Sequence, residues 1–233
     1  MVTVDTLSRV VIVAEMQGRD LARRRLALIL LVALPLAFYG ALAGHSSDAI
    51  IPGGVAMAFS MAGAAIFAVL SSRAVDHRLT LAGFRAGEIL VGRLLFLEVL
   101  SLPLVAGSSV LMARVSHPPR PWSMGLAVEM VAVVAIPFGL AVGALLPREL
   151  EATLVLIGVV GIQLSLDLSQ GLSKVLPFYG PMRLLDRSLG GDYPIGAAVV
   201  MSVTYAAALL AGSSYLVARR IRVRHLASPR KTT

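Results

Sequence analysis

Cysteine is absent from this chain of 233 residues, so disulfides, thiolate metal sites and cysteine nucleophiles are all excluded. Charged residues are scarce, because Asp, Glu, Lys and Arg together make up 15% of the chain, whereas a soluble domain carries about 25%. Hydrophobic residues make up 57%, and the mean hydropathy is +0.83. This composition excludes a soluble enzyme and predicts an integral membrane protein.

Lysine is also rare, which bears on nucleotide binding. A phosphate-binding loop of the form G-x-x-x-x-G-K-[ST] needs a lysine between glycine and a hydroxyl residue. Lys174 is followed by valine, and Lys231 is followed by threonine but preceded by arginine, with no glycine nearby. The chain is therefore not expected to hydrolyse ATP by that device.

Histidine is too sparse and too scattered to build a catalytic or metal site. The four histidines are His45, His77, His117 and His225, and all fall outside the long apolar segments. No two of them lie within one helical turn, so the spacing typical of a zinc site is missing. We predict no catalytic residue, no metal and no cofactor bound by this chain.

Long apolar segments are abundant. Six windows are each about long enough to cross a ~30 Å hydrocarbon core as a helix. They are Leu26–Gly44, Ala49–Leu70, Leu94–Ala113, Met124–Leu146, Ala152–Leu168 and Ile195–Ala218. The sequence therefore predicts an all-α polytopic membrane protein in which residues 1–233 form a single transmembrane domain with six transmembrane helices.

The basic residues are distributed unevenly between the predicted connections. Both termini and the second and fourth loops hold 16 of the 21 Lys and Arg residues, and the alternate loops hold 5. Because cytoplasmic loops are enriched in Lys and Arg, this split predicts a multi-pass protein of the cell membrane with both termini in the cytoplasm. Membrane topology accounts for the net charge of +8, including the basic tail 219–233, so no nucleic acid partner is expected.

The segments before the first span and between the fifth and sixth spans contain apolar residues. In residues 1–25, apolar side chains recur at helical spacing at Leu7, Val10, Val11 and Ala14, before a cluster of arginines. We expect an interfacial helix there, the alternative being a disordered basic leader.

Residues 169–194, between the fifth and sixth spans, are broken by proline and glycine but contain several large apolar residues. This pattern predicts a re-entrant or surface element on the outer face, with a short helix starting at Pro181.

Acidic residues are nearly absent from the spans, and Glu98 and Glu129 are the two well inside one. An intramembrane carboxylate costs about 2.5–3.5 kcal/mol on insertion scales, so each is a candidate for the translocation path. The competing interpretation is a local or interfacial role, since Glu98 lies about one turn from Arg93.

The cytoplasmic segment 71–93 alternates charged residues with large apolar ones. Arg78 and Arg85 flank Leu79, Leu81 and Phe84, and two glycines precede the third span. This pattern predicts a short amphipathic helix just outside the membrane, the alternative being an ordinary loop.

The same segment carries a resemblance to a known family. Arg78-Leu79-Thr80-Leu81 and the stretch 88–93, which opens the third span with Gly92-Arg93, resemble the coupling helix of the membrane subunits of ABC type-2 exporters. The arginines before the first span, the broken outer element and the basic C-terminal end of the sixth span also resemble that family.

The resemblance implies a permease that moves a drug-, lipid- or peptide-like substrate out of the cytoplasm. It implies a second permease chain, as a homodimer or heterodimer, and separate ABC ATPase subunits that bind ATP and Mg. The ATPase-coupling residues would be Arg78, Leu79, Leu81, Phe84 and Arg85. Two further functions stay open: a proton-coupled secondary transporter using Glu98 and Glu129, disfavoured because no internal repeat is visible, and a membrane anchor or assembly factor.

Overall fold

The computed structural model describes residues 2–43, 49–169 and 171–226, and over those ranges the protein is all-α, as predicted. The α-helices are α1 (Val2–Arg23), α2 (Arg25–Ala43), α3 (Ile50–Ser71), α4 (Arg73–Leu81), α5 (Ala86–Ser116), α6 (Pro121–Leu145), α7 (Glu149–Ser165), α8 (Tyr179–Ser188) and α9 (Ile195–Leu226), with a 3₁₀ helix at Gly171–Val175. Residues 227–233 of the predicted basic tail lie outside the described residues.

Four of the described helices are long and apolar enough to cross a membrane. They are α3, α5, α6 and the part of α9 that runs from Ile195 to Arg219. The other two predicted spans coincide with helices that are shorter, namely α7 and the apolar stretch Leu28–Ala41 of α2. An all-α fold with four candidate membrane-spanning helices is thus confirmed, and the count of six stays a prediction.

Helices α3 and α6 form the centre of the bundle, and glycine allows their backbones to touch. A Cβ placed on Gly139 of α6 would lie 2.3 Å from the carbonyl oxygen of Ala62 on α3. A Cβ on Gly143, one turn later, would lie 3.0 Å from Val69 Cβ. Small residues bring transmembrane helices together in this way. The pair therefore mediates packing within one chain.

The interfacial segment is a helix, but only part of its predicted apolar stripe faces the bundle. Val10 and Val13 are buried, and a Cβ on Gly92 of α5 would lie 2.8 Å from the carbonyl oxygen of Val10. Leu7 and Val11, which belong to the same predicted stripe, are exposed. The helix therefore has two apolar surfaces, one packed on α5 and one exposed.

The broken element between α7 and α9 is a packed part of the fold. Its short helix begins at Tyr179, two residues before the predicted start, and packs among α3, α6 and α9. A Cβ on Gly180 would lie 2.5 Å from the carbonyl oxygen of Ala198, so this turn of α8 touches the backbone of α9. The helix is followed by Gly190 at φ +116°, a conformation that favours glycine. The element closes the end of the bundle opposite α4.

Candidate functional site

Helix α4 is fixed to the end of α6 by its first residue. The guanidinium of Arg73 donates hydrogen bonds to the carbonyl oxygens of Gly143, Leu146 and Pro147, at 3.0, 2.5 and 2.8 Å. The last carbonyls of a helix have no partner within that helix, and a cation is favoured there by the helix dipole. Arg73 therefore caps α6 and links α4 to the connection between α6 and α7.

A second link joins α4 to α5 and to the end of α3. Arg93 of α5 is 3% exposed, forms an ion pair with Asp76 of α4, and donates a hydrogen bond to the hydroxyl of Ser72. The local partner considered for Arg93 from the sequence was Glu98, whereas the structure pairs it with Asp76. The charge of Arg93 is thus balanced by a carboxylate seventeen positions earlier in the chain.

Burial raises the pKa of Asp76 above its ordinary value of 3.8, although the neighbouring Arg93 guanidinium acts in the opposite direction. The folded chain consequently binds this proton more tightly than the unfolded chain. Protonated Asp76 therefore stabilises the fold at a pH below its ordinary pKa. This stabilisation is lost as the pH rises through the raised pKa of the folded chain.

Helix α1 holds the loop that follows α4. Arg9 donates a hydrogen bond of 2.8 Å to the carbonyl oxygen of Gly83, and its guanidinium carbon lies 5.5 Å from the centre of the Phe84 ring. The same guanidinium lies 3.6 Å from the carboxylate of Glu88, a buried side chain that accepts a hydrogen bond from the Arg85 backbone amide at the start of α5. Gly83 adopts φ +88°, which allows the turn. The loop is therefore tied to both α1 and α5.

The structure separates the predicted coupling residues into two groups. Arg78, Leu81 and Arg85 are exposed, and Leu81 is the most accessible large apolar side chain of the segment at 69%. Leu79 and Phe84 are half-buried, Phe84 beneath Arg9. A partner would therefore meet Leu81 flanked by two arginines.

Sequence reasoning missed the residues that fix this surface in place, namely Arg9, Arg73, Asp76 and Arg93. The sequence feature that could have identified any of them is position, because Arg73 and Arg93 lie near the two ends of the predicted segment 71–93. Their partners lie far away in sequence: Arg9 is 74 residues from Gly83, and Arg73 is 70 residues from Gly143.

The two intramembrane glutamates lie close to each other. Glu98 is on α5 and Glu129 is on α6, both side chains are half-buried, and their carboxylates are near enough to interact electrostatically. The sequence placed them on two neighbouring spans without indicating that they meet. A pair of carboxylates on two neighbouring helices is able to attract a cation.

Neither metal-binding geometry nor similarity to known proteins narrows the function further. Within residues 2–43, 49–169 and 171–226, no group of three or more His, Asp or Glu side chains is arranged to hold a metal ion. Comparison of the sequence with protein-family models and with curated proteins gives no match.

Proposed function

We propose that this chain is the permease subunit of an ABC exporter, driven by separate ATPase subunits that dock on α4 and the loop after it. The observation that supports the proposal is the way this segment is held. Arg73, Arg93 and Arg9 link it to α6, to α5 with the end of α3, and to α1. A displacement imposed on α4 by a partner would therefore reach four helices of the bundle at once.

The exposed surface of the segment has the composition of a small docking site. Leu81 provides an apolar anchor, and Arg78 and Arg85 provide charges beside it. Interfaces commonly place apolar anchors at the centre and charged residues at the rim. Because this chain lacks a phosphate-binding loop, ATP and Mg belong to the partner in the proposed complex.

The remaining parts of the proposal follow from charge and from the family resemblance. We place the protein in the cell membrane with six spans and with α4 and both termini in the cytoplasm, because 16 of the 21 basic residues lie on that side. A second permease chain completes the transporter. The substrate is a drug-, lipid- or peptide-like molecule moved outward.

Leu81→Ala is expected to weaken ATPase binding at least about thirtyfold, the effect of losing an interface hot spot of ~2 kcal/mol. The measurement is titration of the purified permease with an ABC ATPase that co-purifies with it, followed by the ATPase rate of the complex. Leu172→Ala is the matched control, because Leu172 is 61% exposed on the opposite end of the bundle and should leave binding unchanged. Arg85→Glu should weaken binding in a salt-dependent way.

Wild-type binding and stimulated hydrolysis in a well-expressed Leu81→Ala, Arg85→Glu double variant would refute the coupling surface. The segment would then be an ordinary loop, and the main support for the exporter would be lost.

A proton-coupled secondary transporter is the second candidate, and the proximity of Glu98 and Glu129 favours it. In the exporter, Glu98→Gln and Glu129→Gln should fold and retain most ATP-dependent transport. If the protein is instead a proton-coupled carrier, at least one of these two substitutions should abolish proton-driven transport. Transport by sealed vesicles that contain a proton gradient and no nucleotide would decide for the carrier.

A further inference from the structure

A cavity of about 200 Å³ lies between α1, α2, α3 and α5. Three of its polar lining residues, Gln17, Asp20 and Ser71, lie near the ends of α1 and α3, and leucine and phenylalanine side chains line its interior. Pockets for drug-sized ligands measure about 300–1,000 Å³. The smaller volume fits a slender molecule better than a bulky one.

The cavity extends to the middle of α3. Ser60, which also lines it, precedes Ser71 by eleven residues, a distance of about 16 Å along the helix. Half of a ~30 Å hydrocarbon core has nearly the same thickness. A ligand in this cavity would therefore span one leaflet from the interface to the bilayer centre.

The deep end of the cavity contains an unsatisfied hydroxyl. Ser60 is 5% exposed, and its Oγ has no hydrogen-bond partner among the described residues. Helical serines usually donate to the carbonyl four residues earlier. Ser202 follows that rule in this protein, with a bond of 2.8 Å to Ala198, and Ser60 does not. The hydroxyl is thus available to a polar group of a ligand.

The α1–α2 junction beside the cavity carries an excess of positive charge. The Asp20 carboxylate lies 3.4 Å from the guanidinium of Arg24, which also stacks 4.8 Å from the centre of the Phe67 ring that lines the cavity. Arg23 and Arg25, on either side, are exposed. With Asp20 neutralised by Arg24, the two flanking arginines favour an anionic head group at the interface.

We infer that this cavity binds an anionic amphiphile with one slender apolar chain and a hydrogen-bonding group at the far end, which pairs with Ser60. The head group lies among the arginines of the α1–α2 junction, and the chain runs along α3. The inference goes beyond the proposed function and does not depend on it, because binding is a property of the isolated chain.

The direct test compares radiolabelled ω-hydroxydodecanoate with dodecanoate on the purified full chain in nanodiscs, with empty nanodiscs subtracted. The hydroxylated acid should bind about fivefold to tenfold more tightly, the effect of one net hydrogen bond. Ser60→Ala should abolish that preference. Ser214→Ala should preserve it, because Ser214 lies on α9, away from the cavity, and bonds to Leu210. Equal binding of the two acids by the wild type would overturn the inference.

A second arm tests the location of the site. Gly63 lines the cavity and a Cβ there would meet nothing within 4 Å, so Gly63→Leu should fill the space without a clash and reduce binding at least about tenfold. Gly107→Leu, at a helical glycine that is also unobstructed, should bind as the wild type does. Unchanged binding in a folded Gly63→Leu variant would overturn the location of the site. Tighter binding of ω-hydroxydodecylamine than of ω-hydroxydodecanoate would overturn its preference for an anionic head group. The wild-type comparison of the two acids decides the matter independently of how any variant folds.

Discussion

Gly139→Leu is expected to prevent stable folding of this protein. A Cβ at this position lies 2.3 Å from the Ala62 carbonyl oxygen and 2.7 Å from Ala65 Cβ, so it meets backbone and short side chains that cannot rotate away. Helices α3 and α6 would have to separate along the centre of the core. Overpacking a core costs about 1–3 kcal/mol when side chains adjust, and we expect at least about 3 kcal/mol here because the backbone must move.

The experiment compares Gly139→Leu with Gly125→Leu in detergent. Gly125 lies on the same helix, but a Cβ there meets nothing within 4 Å. Both variants replace glycine with leucine, so both gain the same side chain and the same helix propensity. The difference in stability between them therefore reports the contact between position 139 and α3. The readouts are the monodisperse fraction on gel filtration and the melting temperature. Similar melting temperatures in the two variants would show that α3 and α6 are not in backbone contact at Gly139.

Arg73→Gln is expected to lower the free energy of unfolding by about 3 kcal/mol and to uncouple α4 from the end of α6. The substitution removes a guanidinium that donates to three carbonyl oxygens at the end of α6. Hydrogen bonds to a charged group contribute about 1.5–3 kcal/mol each when buried, and less at the exposed Pro147. Glutamine is too short and has too few donors to replace all three.

The matched control is Arg78→Gln, on the same helix at an exposed position, which should leave the melting temperature nearly unchanged. The proposed function adds a second readout. If α4 transmits force, the Arg73→Gln permease should still bind its ATPase through Leu81, but transport per ATP hydrolysed should fall. Full transport in that variant would mean that the contact with α6 serves stability only.

The sequence by itself determined the class of the protein and the position of its long helices. In hydrocarbon, the backbone polar groups of a helix are satisfied within that helix, so hydropathy over about 20 residues is a local property that sequence reports. The centres of α3, α5, α6 and α9 therefore fall inside four of the predicted windows. The short helix of the outer element was also recognisable, because proline and glycine limit it locally.

Only the tertiary structure decided which residues meet. The Gly139–Gly143 pair faces α3, whereas a Cβ on Gly40 of α2 would meet nothing within 4 Å. The coupling segment was predicted from its composition, but the contacts that anchor it were not. Arg9 bonds to Gly83 and Arg73 bonds to Pro147, and in each pair the two residues are more than 70 positions apart in the chain. A side chain's partner depends on which helices are neighbours and on how each is rotated, and neither is encoded in local periodicity. The same reason explains why the sequence named Glu98 and Glu129 but could not place them together.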